Sequence, residues 1–265
     1  MLVIGERINA TRKRIAEALR KRDTAFIQKE ARIQMEAGAH LLDLNAGLGS
    51  GDEAAGLRWL VETVQALGYR DICLDSADPA ALQACLPLVQ GRVLVNSING
   101  EAAKLEALLP VLDGYPGEVV GLTMDDRGIP GDVKTRLEIT ARMVKAMEGC
   151  RVPVERIYID PLTQPVSTDP SNGRVFLESL RAIKREFPGI KTTCGLSNVS
   201  FGLPERRVLN RCFLALAIEA GLDSALIDPT DQGMMAAMLT AEGLTGIDQY
   251  CMGYLTAFRE GKIKS

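Results

Sequence analysis

Histidine is almost missing from this chain. Its 265 residues include one, His40. A metal site built from several histidines is therefore excluded, and a histidine-based catalytic triad has a single candidate member. Cysteines number six, at 73, 85, 150, 194, 212 and 251, but none form a C-x-x-C pair. Zinc and iron–sulfur signatures are thus absent, and the scattered thiols read as small hydrophobes in a reducing compartment. Basic excess is lacking as well. A formal net charge of −3 gives no footprint for nucleic acid and no polybasic patch for anionic lipid. No apolar run approaches the ~20 residues that cross a bilayer. The opening MLVIGERIN has neither the basic start nor the cleavage site of a signal peptide. A cytoplasmic protein is expected, touching neither nucleic acid nor membrane. No Pro/Gly/Ser-rich linker interrupts the chain, so residues 1–265 are expected to form one domain. That length is ordinary for an α/β barrel.

What is present is an alternation. Short apolar runs lie at 3–9, 40–47, 71–76, 92–97, 118–125, 156–160, 191–198 and 224–228. Between them the apolar residues take helical spacing, over 15–38, 54–67, 79–89, 102–112, 133–147, 173–187, 204–220 and 233–238, with a last stretch at 247–258. The first of these is long enough for two helices. Arg22-Asp23-Thr24 should divide it, with Asp23 or Thr24 as N-cap. Buried strands alternating with helices imply a parallel sheet, and eight units in about 250 residues imply a closed (β/α)8 TIM barrel. An open doubly wound sheet is the other candidate, but no G-x-G-x-x-G follows the first run.

Each run ends in residues that a buried strand should not carry. These are Glu6 and Asn9; Asp43 and Asn45; Asp75; Asn96, Ser97 and Asn99; Thr123, Met124 and Asp125; Asp160; Asn198; and Asp228. In a parallel barrel all of these ends open on one mouth, where active sites sit. The set holds carboxylates and carboxamides but no lysine, which argues against a Schiff-base aldolase. Clustered carboxylates could hold magnesium, yet acid alternating with amide at Asp75, Asn96, Asp160 and Asn198 suits a flat heterocycle better, and no resident metal is expected. A carboxylate accepts two N–H donors from an aminopyrimidinone, and an amide can both donate and accept. Blander roles are open for the others. Asp43 and Asn45 could cap the next helix or hold the GLGSGDE loop; Asp228 suits a turn before Pro229; Glu6 could pair with Arg7 or another basic residue. His40 begins a strand at the far end and reads as structural.

These motifs have a family likeness. IGERIN, LDLN, LDS at 74–76, VNS at 95–97, GLTMDDRGIP at 121–130, YIDPL, GLSNVS and LNRCFLALAIEAGLDSALID resemble the pterin-binding methyltransferases, in order along nearly the whole chain. Within that family the likeness is to methyltetrahydrofolate–corrinoid protein methyltransferases. It implies that Asp75, Asn96 and Asp160 grip a pterin ring, that Asn198 reaches N5 beside the methyl group, and that Arg206 contacts the ligand. It also implies that Gly195 and Ser197 shape the backbone beneath the ring and that Met124 packs on it. Phe201 stands where relatives can be polar. The implied substrate is methyltetrahydrofolate or tetrahydrofolate. The chain lacks the D-x-H-x-x-G pattern of a cobalamin module, so a corrinoid (cobalamin) would arrive on a partner protein. A homodimer is implied too. Dihydropteroate synthase, of the same fold, is one alternative, though its late Lys and Arg-x-His elements have no match here. A pterin-binding scaffold without turnover is the other.

Overall fold

The computed structural model describes residues 1–47 and 52–263. The eight apolar runs become β1 (Leu2–Asn9), β2 (Leu41–Asn45), β3 (Ile72–Asp75), β4 (Val93–Asn99), β5 (Glu118–Leu122), β6 (Ile157–Asp160), β7 (Lys191–Thr192) and β8 (Ser224–Ile227). From β1 to β7 each pairs in parallel with the next, and β1 also pairs with β8. The seam between β7 and β8 is thin. It closes through one bridge, Gly195 to Leu226, and the Leu226 N–H donating to the Cys194 carbonyl at 2.9 Å. The (β/α)8 barrel expected from the alternation is what forms.

Around it lie α1 (Lys13–Lys21), α2 (Thr24–Glu36), α3 (Glu53–Gln65), α4 (Pro79–Cys85), α5 (Ala102–Leu112), α6 (Val133–Gly149), α7 (Asn172–Glu186), α8 (Arg206–Glu219), α9 (Gln232–Leu244) and α10 (Met252–Arg259). Aspartates start several of them. Asp23, Asp52, Asp78, Asp132 and Asp231 each accept a backbone N–H of the first turn, as N-caps do. Asp23 is thus the cap that the divided first helix required.

The barrel interior follows from the two-residue period of a strand. Ile4, Leu41, Cys73, Leu94, Val120 and Tyr158 point inward and form a buried apolar plug. Two residues further along each strand come Glu6, Asp43, Asp75, Asn96, Leu122 and Asp160. The same side of the strand that packs the plug therefore presents a polar layer above it. The outward face packs under the helices in a larger core that includes Ile8, Leu42, Leu44, Leu60, Ile72, Leu74, Val95, Val119 and Ile159.

The opposite end of the barrel is sealed by an ion cluster. Arg92 grips Glu118 through Nε (2.5 Å) and Nη2 (2.9 Å), and donates to the Tyr158 hydroxyl at 2.9 Å. Lys191 donates to Glu118 at 3.0 Å and lies over the Tyr158 ring. Burial alone would raise the Glu118 carboxyl, but Arg92 and Lys191 outweigh it and hold it below its ordinary range. His40 belongs to this end. Its Nδ1 accepts the Val3 N–H at 3.0 Å, and burial pushes its pKa down, so it is structural as expected.

Three elements depart from the sequence pattern. The seventh run is a strand only over Lys191–Thr192; Leu196–Ser200 is a 3-10 turn. Helix α9 runs six residues beyond the expected 238, because its small and apolar residues hide the helical period. The last stretch breaks at Tyr250 and Cys251, both with φ of 55°, so α10 begins only at Met252.

Candidate active site at the barrel mouth

The polar layer is buried or half-buried and short of partners. Asp160 lies 7% exposed at the end of β6, where its Oδ1 accepts the Leu162 N–H at 2.7 Å. Burial raises its pKa to about 6. Asp75 sits in register with Asn96 across the β3–β4 pair, and Asn9 Nδ2 approaches it at 3.4 Å. Burial raises its pKa to about 6 as well. Asp43 is deeper, 1% exposed, and neither carboxylate oxygen has a hydrogen-bond partner among the described residues. Burial first, and then the charge of Asp75, push its carboxyl well above the usual range. Glu6 completes the layer, raised to about 7 chiefly by burial and against the pull of Arg12. Four carboxyls in one layer, with no cation bonded to Asp43, Asp75 or Asp160, favour a ligand that brings N–H donors.

More unpaired atoms border the same floor. Thr123, Thr163 and Thr193, just past the ends of β5, β6 and β7, have buried hydroxyls without partners among the described residues. A native interior leaves few such groups unless a ligand or water completes them. The sequence reading names neither Thr163, which follows the polar end at Asp160, nor Thr193, which lies inside the seventh run.

Asn198 stands on the 3-10 turn after β7, exposed, and makes no side-chain hydrogen bond among the described residues. Its Nδ2 lies 3.1 Å from where a Cβ on Gly195 would stand, so glycine there keeps room for the amide. Arg206, the first residue of α8, braces this turn. Its Nε donates to Ser200 Oγ at 3.0 Å and its Nη2 to the Ser197 carbonyl at 2.5 Å. Its guanidinium also lies 6.0 Å from the ring centroid of Phe201, which is itself 64% exposed. Met124 follows β5 and is half-buried, with its carbonyl accepting from Gly100. Thus Asp75, Asn96, Asp160, Met124, Gly195, Ser197, Asn198 and Arg206 all gather at the strands' C-terminal ends.

Asp125 and Asp228, also at these ends, are structural. Asp125 is held by Arg127 (2.9 Å) and Arg142 (2.7 Å). Asp228 accepts from Thr230 N (3.0 Å), Thr230 Oγ1 (2.6 Å) and Arg7 Nη1 (3.0 Å), as a turn residue does. Glu6 does not pair with Arg7, whose Nε goes to Glu30 at 2.9 Å; its nearest cation is Arg12 at 4.0 Å. Asp43 and Asn45 do not cap α3, because Asp52 does. Asn45 instead donates to the Asp75 carbonyl at 3.3 Å and accepts from Gly47 N. Residues 48–51 of the GLGSGDE loop lie outside the described residues. Among the described residues, no three His, Cys, Asp or Glu side chains converge as metal ligands.

A parallel barrel whose mouth carries this acid–amide layer defines a class, and the chain belongs to it: the pterin binding enzyme family matches residues 5–228. Within that class the chain is 38% identical over 265 residues to the methylcorrinoid:tetrahydrofolate methyltransferase of Eubacterium limosum, covering 99% of this chain and 98% of that one. It is 35% identical over 240 residues to the methionine synthase of Mycobacterium tuberculosis, covering 86% of this chain and 20% of that longer protein. Among solved structures, the dihydropteroate synthase of Burkholderia cenocepacia superposes with a TM-score of 0.68 at 22% identity, covering 94% of this chain and 93% of that one. That last likeness is one of fold.

Proposed function

We propose that this enzyme moves a methyl group between N5 of a tetrahydrofolate-type pterin and a corrinoid held by a separate protein. The observation that carries the reading is the mouth itself: buried Asp160 and half-buried Asp75 and Asn96 at the strand ends, with an unengaged Asn198 on the turn after β7. The full-length similarity to a methylcorrinoid:tetrahydrofolate methyltransferase supports it.

In this reading Asp75 and Asp160 accept the N–H donors of the pterin's aminopyrimidinone edge. Their raised pKa values fit this role, since N–H donors repay the cost of ionising a buried acid. Asn96 supplies the donor–acceptor pair beside them, and Met124 and the Gly195–Ser197 backbone flank the ring. Asn198 donates to N5. A tertiary amine is a poor leaving group, and charge builds on N5 as the carbon–nitrogen bond breaks. A donor aimed at that atom stabilises the transition state. An amide is not a general acid at neutral pH, so the N5 proton itself travels through solvent or a hydrogen-bond network. The corrinoid's cobalt is the other methyl carrier. Fixing the ring leaves the methyl group pointing out of the mouth toward it.

Residues 1–265 act as one domain on this reading, in the cytoplasm, where the six free thiols stay reduced. No helix among the described residues is long and apolar enough to cross a membrane. The enzyme pairs as a homodimer. Val208, Cys212 and Leu216 form an exposed stripe on α8 at four-residue spacing, opposite its buried face. A stripe of this kind is what a subunit contact covers. Sedimentation of Leu216→Glu tests this: a dimer that survives unchanged removes α8 from the contact.

The test of function is optical. Methyltetrahydrofolate and chemically reduced cobalamin should yield methylcobalamin in proportion to added enzyme. Binding without transfer, even with a corrinoid protein supplied, would leave a scaffold.

A further inference from the structure

Beside the acid–amide floor lies a second recess of about 620 Å³, between the ends of β8 and β1 and the start of α8. That is within the ~300–1,000 Å³ of small-molecule sites. Its lining reverses the chemistry of the floor. Five guanidinium groups, those of Arg7, Arg12, Arg206, Arg207 and Arg211, face three carboxyls, those of Glu6, Asp228 and Asp231. Arg7 and Arg211 are committed, to Glu30 and Asp228 and to Asp231 respectively. The others are not. Among the described residues Arg12 comes no closer than 4.0 Å to an acid, and Arg207 no closer than 3.7 Å. Arg206 bonds only to a hydroxyl and a carbonyl. Two buried polar atoms in the lining, Asn210 Oδ1 and Arg211 Nε, have no partner among the described residues.

We propose that this recess seats the anionic tail of the pterin substrate, the glutamyl carboxylates carried at C6. The inference rests on the pterin reading above and deepens it. With Asn198 at N5, the tail must leave the ring from the adjacent carbon, on the side of Ser197 and Arg206, which are shared by the turn and the recess. Arg12 and Arg207 then meet the carboxylates. Arg211 Nε supplies a further donor, and Asn210 Oδ1 accepts the N–H of the glutamyl amide. Tails with more glutamates present more charge to the same guanidinium groups.

The experiment compares three ligands by calorimetry: tetrahydrofolate monoglutamate, its triglutamate, and a tetrahydropterin with methyl at C6 and no tail. Each is titrated into the wild type and into the double variant Arg12→Gln/Arg207→Gln. The wild type should prefer the triglutamate to the monoglutamate by about fivefold or more, a preference that fades as salt rises. In the double variant that preference should vanish, while affinity for the tail-less pterin stays the same. Equal loss for all three ligands would overturn the proposal, because the arginines would then serve only the fold. Unchanged binding of all three would overturn it too, and would pass the arginines to the docking of an acidic partner. Failure of all three to bind the wild type would take down the pterin reading itself; binding of the tail-less pterin with no gain from a tail would take down this inference alone.

Discussion

The two ends of the barrel are built from the same strands and treat carboxyl groups in opposite ways. At the closed end, Glu118 is bonded by Arg92 and Lys191, and its pKa falls. At the mouth, buried Asp43 and Asp160 and half-buried Asp75 have no cation bonded to them among the described residues, and their pKa values rise. One end holds its charge in a finished network. The other holds acids whose partners have yet to arrive, which fits a ligand site and costs stability in its absence.

Four experiments press on that contrast. The largest effect belongs to Asn198→Ala, which should lower kcat by about 10²–10³-fold with pterin affinity nearly kept, the cost of one transition-state donor. Parallel losses in affinity and rate, read by single turnover and calorimetry, would make Asn198 a binding residue only. Asp160→Ala should weaken pterin binding by about 30–100-fold, as expected for a charge-assisted hydrogen bond; unchanged affinity would remove it from the ring-holding set. At the other end, Glu118→Ala should cost about 2 kcal/mol of unfolding free energy, less than a fully buried pair because Arg92 and Lys191 are partly exposed. Denaturant titration would measure it, and pterin affinity should not move. A large effect on affinity would erase the distinction between the two ends.

The smallest effect depends on pH. Asp75 and Asp160 have folded pKa values of about 6, above their ordinary values, so their burial favours the protonated form. The stability they contribute is complete below about pH 4 and is lost as pH rises through 6. Asp75→Asn, which stays neutral, should therefore raise the Tm of the ligand-free protein by a few degrees at pH 8, on the order of 1–2 kcal/mol, and change little at pH 4. A Tm unaffected at both pH values would mean that water already solvates Asp75.

Much of the floor could be read before the structure. Apolar and polar inward positions succeed one another at two-residue spacing in LLDLN, ICLD and IYID, so strand period alone places Asp43, Asp75 and Asp160 above a plug. The seventh strand was less legible. KTTCGLSN carries strand-forming residues, but its second half curls into a 3-10 turn that only the neighbouring Arg206 explains. Of the arginine recess only Arg206 was legible, through the family likeness. Its cations come from the start of the chain and from α8, and which of them lack a carboxylate is settled by tertiary contacts such as Arg7 with Glu30.

The thin join between β7 and β8 has a consequence for motion. With a single backbone bridge there, amides around Thr193–Leu226 should be the first strand positions to exchange with deuterium. Asp160 ends β6 and Asn198 follows β7, so a molecule bound to both would brace the short β7 against β6, next to that join. Substrate would then act as a clasp, slowing exchange along β7 more than anywhere else in the ring.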